Sequence, residues 1–578
     1  MLDRFRSRLA NVDALPQLTI LGLASGLLAG SVIVLFRLAI ENTQISFLPD
    51  GGTENYEALS ATWRFGLPAI GGLVIGVIFQ TLSHTGGVQV GIVHVLERLS
   101  YHQGHLPFRN FLLQFFGAAI SIISGHSLGR EGPSVHLGSA SGSLLGQWLH
   151  LPNNSIQTLV ACGAAAGIAA SFNTPLAGVV FSMEVIMMEY TIAGFIPVIL
   201  AAVSATAVSH LVFGTGSAFS LPTLQLASLF ELPYLLVMGL VIGALAVVFI
   251  ASLKWVTETS SKIAIWKRMT LAGVLTGLCA LVVPEVMGIG YDTVNLAMFG
   301  QISIGLLLLI VFFKLLASTV GLGLGLPGGL IAPTLVIGAA AGGVLGLIAA
   351  MIFPDQTASP GFYAMLGMAA MMAAALQAPL AALIALLELT ANPYIIFPGM
   401  LAVIASSVTS SQIFGHESVF LTLLKARGLD YRSDPVAQSL RRIGVTSVLN
   451  TSFITAPQQL SSTIALELLE RDPHWVIIKE NDNPVVLLLA SDLNLYINSN
   501  VDSDSNTKSI DLLEIPAQRE DILPVSRQAT LQQAMDIMNE KNVDALYVTS
   551  HKAGKNKDDN PVIAGIITRQ DVESQYKG

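Results

Sequence analysis

Gly132-Pro133-Ser134-Val135, followed by Gly138, Gly142 and Gly146, returns later in the chain as Ala332-Pro333-Thr334-Leu335, followed by Gly338, Gly342 and Gly346 at the same spacing. A second pair follows in the same order. Gly163 through Pro175-Leu176-Ala177 to Glu184 matches Gly367 through Pro379-Leu380-Ala381 to Glu388. Small residues can recur simply because packed helices need them, but two ordered matches argue for a duplicated bundle. The matched blocks lie among apolar runs, many shorter than the roughly 20 residues that span a bilayer and separated by Gly or Pro. Irregular backbone is tolerated at membrane depth only where protein or water covers it. Short interrupted helices in both halves of a duplicated bundle therefore point to an internal ion site at the interface of the repeats.

Composition agrees with a membrane body. Of 578 residues, 52% are hydrophobic and only 12% charged, where a soluble domain carries about a quarter charged residues. Residues 1–430 hold 15 Lys+Arg and 18 Asp+Glu, and the much shorter segment 431–578 holds 14 and 20. A hydrophobic body is followed by an ordinary soluble domain. The net charge of −9 and the absence of a basic run exclude a nucleic-acid binder. Cys162 and Cys279 sit in apolar stretches, so no disulfide framework or cysteine-based metal site is available.

The first apolar run, Leu15 to Ile40, is too long for a signal-peptide core and reads as a retained membrane helix. Arg4, Arg6 and Arg8 precede it, so the amino terminus is expected in the cytoplasm. The polar tail after Phe414 is expected there too.

Immediately before the first repeated block stands Gly129-Arg130-Glu131, and before the second stands Gly328-Gly329-Leu330-Ile331, without a carboxylate. The free N–H groups and the dipole of a helix start attract anions. Two such starts facing one another form a small-anion site, and Glu131 can occupy it when the anion is absent. A carboxylate at membrane depth is costly and by default functional, which makes Glu131 a gate of the same charge as the permeant ion. Arg130 is a candidate ion-pair partner for it, with snorkelling to the membrane edge the alternative. Glu184 and Glu388 recur at one point of both repeats and read as a shared structural hydrogen bond. His84, His94, His126 and His136 form no metal spacing on any one helix. His136 follows the anion site and reads as a satisfied core histidine, with tuning of Glu131 the competing role.

These residues, with Gly163–Gly167 and the run Phe172-Asn173-Thr174-Pro175-Leu176-Ala177-Gly178, resemble the CLC chloride channels and proton-coupled chloride antiporters over about residues 15–428. The resemblance implies an all-α polytopic bundle with an inverted internal repeat and re-entrant helices. It also implies a homodimer with one anion pathway per subunit and Glu131 as the external gating and protonation glutamate. The repeats are about 15–213 and 232–420 within a transport domain 1–430. The family's first anion motif aligns with Gln89-Val90-Gly91-Ile92-Val93, so Val90 replaces a serine hydroxyl, and Phe420 stands where a tyrosine contacts the same anion. The anion is then left to Gly91, Ile92, Gly132, Leu330, Ile331 and the helix ends. The antiporters' internal proton-transfer glutamate follows Glu184, and that position is Val185.

After a linker at 431–445, residues 446–578 resemble tandem cystathionine-β-synthase (CBS) domains at about 446–497 and 516–574, each a strand, a helix and a pair of strands. By that resemblance Thr568 and Asp571 hold a ribose, which leaves an adenine nucleotide as a ligand of the pair; no other cofactor is expected, and no metal. Ala490-Ser491-Asp492 in the first repeat lacks the corresponding glycine, and Val501 to Ser509 reads as disordered.

An apolar Val185 can neither accept nor pass a proton. The sequence thus favours a passive chloride channel gated by Glu131, with a chloride/proton antiporter of the same family as the alternative. An enzyme is the weakest class, because no nucleophile–base pair is visible. The expected setting is the plasma membrane (the inner membrane for a bacterial chain), multi-pass, with chloride or another small anion, lipid and a second copy of the chain as partners.

Overall fold

In a computed structural model, Gly138 and Gly163 approach so closely that a Cβ built on either would lie 2.0 Å from the other's carbonyl oxygen. The second repeat has the same crossing. A Cβ on Gly338 would lie 2.4 Å from the Gly367 oxygen, and one on Gly367 2.3 Å from the Gly338 oxygen. Only glycine permits such contact, and the repeated spacing in the sequence is this packing. The structure describes the chain except residues 1, 11–13, 83–88, 217–224, 355–356, 432–434, 481–482, 500–508, 551–561 and 577–578. His84 and all but the last residue of the 501–509 linker therefore lie outside the described residues.

The helical unit comprises Leu18–Leu149 and Ile156–Arg432. Among the described residues, nine helices are long and apolar enough to cross a membrane, from Leu15–Phe47 to Pro393–Ile413. Shorter apolar helices, such as Phe108–Ile123 and Pro379–Thr390, lie between them. Helices Glu131–Trp148 and Ile331–Ile352 are their counterparts at the repeated motifs, followed by Asn153–Phe172 and Pro360–Leu376. Beside them the chain forms short helices missing from the apolar-run reading, Gly91–Tyr101, Tyr291–Met298 and Val419–Ala426. Their eight to eleven residues are too few to span a bilayer.

Two contacts define how the repeats meet. Gly129 and Gly329 form an antiparallel bridge, exchanging N–H···O bonds of 2.8 and 2.7 Å. Glu184 accepts the N–H groups of Leu380 and Ala381 (3.3 and 2.8 Å), and Glu388 accepts those of Leu176 and Ala177 (3.0 and 2.7 Å). Equivalent residues that contact each other reciprocally are related by a two-fold axis. Each glutamate satisfies the free donors of the opposite repeat's helix start, as the structural reading of this pair anticipated.

The second unit comprises Met1–Gln17, His150–Ser155 and Ser433–Gly578. Residues 1–17 and 150–155, read from sequence with the membrane domain, thus group with the tail. Their polar groups find partners there: Gly444 N–H donates to Ala10 O at 2.9 Å, and the Asn154 amide donates to Leu9 O and Arg442 O at 3.0 and 3.1 Å. The tail holds β1 (Phe453–Pro457), β2 (Gln459–Ser461), β3 (Trp475–Glu480), β4 (Asn483–Leu489), β5 (Ser509–Asp511), β6 (Arg519–Ser526), β7 (Ala545–Ser550) and β8 (Val562–Thr568). Its larger sheet runs β1-β3-β4-β6-β7-β8. Parallel β1/β3 with antiparallel β3/β4 is repeated as parallel β6/β7 with antiparallel β7/β8. Two copies of one strand–helix–strand–strand unit share the sheet, joined through β4 and β6.

Candidate functional site

The Gly129–Gly329 bridge fixes two helix starts against each other. Gly132 lies so near that a Cβ there would be 2.7 Å from the Gly329 Cα. Glu131 is the first residue of its helix, with Arg130 as the cap, rather than the residue before it. It is fully buried. A Cβ on Gly129 would fall 2.0 Å from Oε2 of Glu131, so glycine at 129 makes room for the carboxylate. The other oxygen, Oε1, accepts a hydrogen bond from the Tyr291 phenol at 2.5 Å.

Two cavities flank this carboxylate. The larger, about 460 Å³, is lined by Tyr291 itself together with Arg37, Glu41, Glu54, Arg130 and Asp292. The smaller, about 90 Å³, is lined by Val90, Gly91, Ile92, Gly132, Leu330 and Phe420, with Arg427 at its edge. Six residues singled out in the sequence from four separated segments thus share one space. The seventh, Ile331, lines a narrow apolar space next to it with Phe172 and Leu335. Glu131 stands between the two cavities, bonded to a wall residue of one and adjacent in sequence to a wall residue of the other.

Several assignments change in detail. Arg130 is not Glu131's salt-bridge partner: its guanidinium pairs with Glu41 Oε1 at 3.2 Å, which Arg37 also contacts at 2.5 Å, and lies 5.8 Å from the centre of the Tyr291 ring. Helix Leu15–Phe47 brings Glu41 to that cavity, a contact across the first repeat that no local spacing announces. The N–H of Gly91 is already committed to Gln114 Oε1 at 2.6 Å, so it is less available to an anion than the sequence implied. Gly91 has φ +79°, a left-handed turn that glycine adopts without strain. Phe420 is buried at the second position of helix Val419–Ala426 and presents no hydroxyl. Val185 is buried in an apolar cluster with Phe181 and Ile186, inside a π-turn at Ser182–Met187. His136, read as a satisfied core histidine, is bonded to His94 at Nε2, and its Nδ1 has no partner among the described residues.

Tyr291 and Glu54 escaped the sequence reading. Both belong to a glycine-punctuated stretch or a loop: Gly288 and Gly290 have φ +62° and +88°, and they turn the chain into the short helix that Tyr291 starts. Glu54 Oε2 accepts the Tyr291 N–H at 3.3 Å, capping that helix. Burial, with Asp292 adding negative charge, pushes Glu54 up to about 7. Glycines flanking a lone aromatic between two apolar runs were the available signal.

In the tail, Thr568 caps the last helix: its hydroxyl donates to Asp571 Oδ2 at 2.7 Å and accepts from the Asp571 N–H at 3.3 Å. Thr568 and Asp571 do come together, at the edge of β8.

The family model for the voltage gated chloride channel matches residues 71–411, and that for the CBS domain matches 514–577. A ClcB-like chloride channel protein of Ralstonia nicotianae is 32% identical over 382 residues, covering 65% of this chain and 89% of its own. The H(+)/Cl(-) exchange transporter ClcA of Vibrio cholerae is 32% identical over 321 residues, 54% of this chain and 68% of its own. The crystal structure of a slow cyanobacterial Cl-/H+ antiporter superposes with a TM-score of 0.62 at 23% identity, over 71% of this chain and 97% of that one. With the inverted repeat, the bridged helix starts and the family model covering most of the helical unit, the chain belongs to the CLC family of chloride transport proteins and carries a C-terminal CBS domain.

Proposed function

We propose that this protein exchanges chloride or a similar small anion for protons across the membrane. The observation that carries the reading is the place of Glu131: a buried carboxylate between two cavities, at paired helix starts, that must leave or take a proton before an anion can replace it. A carboxylate at this depth is held only at a cost of several kcal/mol unless it is paired or protonated, so anion entry and proton uptake are coupled at one side chain. The Vibrio cholerae relative named as an exchange transporter supports this alternative over the passive channel. Val185 favours the channel as the second reading. In the exchange reading Val90, Ile92, Leu330, Ile331 and Phe420 shape the anion site, chiefly through backbone N–H groups. The larger cavity is the outer mouth. The protein acts as a homodimer in a plasma membrane with both termini in the cytoplasm, and its CBS pair takes an adenine nucleotide near Thr568 and Asp571.

The test is reconstitution in liposomes with a chloride gradient, the voltage clamped by a potassium ionophore. Proton movement against its own gradient supports exchange; anion flux without it returns the reading to the channel. Anion efflux compared across chloride, fluoride, nitrate and bromide identifies the substrate.

A further inference from the structure

His94 and His136 lie buried against each other, His94 Nδ1 2.9 Å from His136 Nε2, with ring centres 5.2 Å apart and planes 25° apart. Such a short N···N distance with such widely separated centres is an in-line hydrogen bond between nearly coplanar rings. Arg98, one turn further along helix Gly91–Tyr101, donates from Nε to His94 Nε2 at 3.1 Å. An arginine can only donate, and that fact sets both tautomers. His94 Nε2 accepts, so its proton is on Nδ1 and is given to His136 Nε2; the proton of His136 is then on Nδ1. That nitrogen is buried and has no hydrogen-bond partner among the described residues. A buried N–H left unpaired is costly.

We propose that His94 and His136 form the proton relay that replaces the missing carboxylate at Val185, a proposal that rests on the exchange reading. The pair bridges the two helices whose first turns line the anion site: His94 follows Gly91, Ile92 and Val93, which line the 90 Å³ cavity, and His136 is five residues beyond Glu131. At 1.5 Å per residue, His136 is about 7.5 Å along the helix from Glu131, on the side away from Arg130 and the larger cavity. A proton arriving from the smaller cavity binds His94 Nε2, displacing the Arg98 bond. The Nδ1 proton of His94 passes to His136 Nε2, and the Nδ1 proton of His136 leaves through water for the unprotonated Glu131 carboxylate. One proton enters and one leaves, which leaves each ring protonated on Nε2; exchange of each ring's proton with water, from Nε2 to Nδ1, restores the starting tautomers. The titratable groups facing His94 are Arg98 of its own helix, His102 just past that helix's end, His136 of the neighbouring helix and Arg427 in the cavity wall, all of them basic.

The experiment measures chloride and proton turnover in liposomes holding the full-length wild type, His94→Gln or His136→Gln. Glutamine keeps a hydrogen bond between the helices but cannot relay a proton. The expected result is chloride turnover within about threefold of wild type and proton turnover at least tenfold lower. An unchanged proton-to-chloride ratio in both variants would show that the pair only stitches two helices together. A wild type that moves no protons uphill sinks the exchange reading itself, which is a different failure. Should both glutamine variants lose chloride turnover as well, Arg98→Gln decides. Removing the cation at Nε2 should raise proton turnover about threefold or more at alkaline pH, and an unchanged value there overturns the relay.

Discussion

The Tyr291 phenol donates to Oε1 of Glu131 at 2.5 Å, and the same residue's backbone N–H is capped by Glu54. The phenol that holds the proposed gate is thus built on a helix start that is itself held by a second carboxylate in the wall of the larger cavity. A hydrogen bond to a charged group contributes about 1.5–3 kcal/mol. Tyr291→Phe removes it without changing the ring's packing against Phe172. Glu131 then competes less well with the anion, and apparent chloride affinity by calorimetry on the purified protein should rise about fivefold or more. An affinity equal to wild type would mean the phenol has no hold on the gate.

Glu54 provides a pH response separate from Glu131. It stands in the loop between two membrane helices, and burial beside Asp292 pushes it up to about 7. Below that pH it is neutral; above it, a negative charge lines the larger cavity, the proposed outer mouth of the anion path. Flux should therefore fall as pH rises through about 6–8, and Glu54→Gln, which keeps an acceptor for the Tyr291 N–H, should remove that limb. The pH profiles of Glu54→Gln and Glu131→Gln, measured singly and together, separate the two contributions. If Glu54→Gln follows the wild-type profile throughout, Glu54 is only a helix cap.

The glutamates at 184 and 388 are expected to act on stability alone. Each accepts two backbone N–H groups of the other repeat, and alanine at either position leaves both without a carboxylate, at about 1–3 kcal/mol for each donor that stays dry. Glu184→Ala and Glu388→Ala should each lower the thermal midpoint in detergent by several degrees and leave the proton-to-chloride ratio alone. Loss of coupling in Glu184→Ala but not in Glu388→Ala would instead make Glu184 a proton carrier and compete with the histidine pair.

Much of this arrangement was legible in the sequence because the repeat writes each feature twice. Gly138/Gly163 and Gly338/Gly367 are spaced alike because the same helix crossing is made in both halves. Glu184 and Glu388 coincide because each caps the other's helix. What stayed hidden occurs once and is assembled from distant segments. Tyr291 meets Glu131, Arg130 meets Glu41, and His94 meets His136 only after the bundle closes, and a lone Tyr or His on an apolar chain reads as core. Gln114 was hidden for another reason: its target is a backbone N–H, which every residue carries.

The anion site itself offers the last test. Val90 and Phe420 face one cavity of about 90 Å³ where the family places a serine and a tyrosine hydroxyl, and the Gly91 N–H is already bonded to Gln114. Chloride there depends on the remaining N–H groups and on helix-start dipoles, each contributing about 0.3–1 kcal/mol. Val90→Ser and Phe420→Tyr each add one O–H donor to a preformed space, and a hydrogen bond nets about 0.5–1.5 kcal/mol. The double variant should therefore bind chloride about fivefold to 160-fold more tightly. Serine is smaller than valine and tyrosine adds only a hydroxyl to phenylalanine, so the fold should tolerate both. Tighter binding should also slow turnover, since an anion held more firmly leaves more slowly. Calorimetry with flux on the same preparations distinguishes the outcomes: tighter binding with slower flux places both side chains at the anion, and unchanged binding in the double variant means chloride rests elsewhere in the pathway.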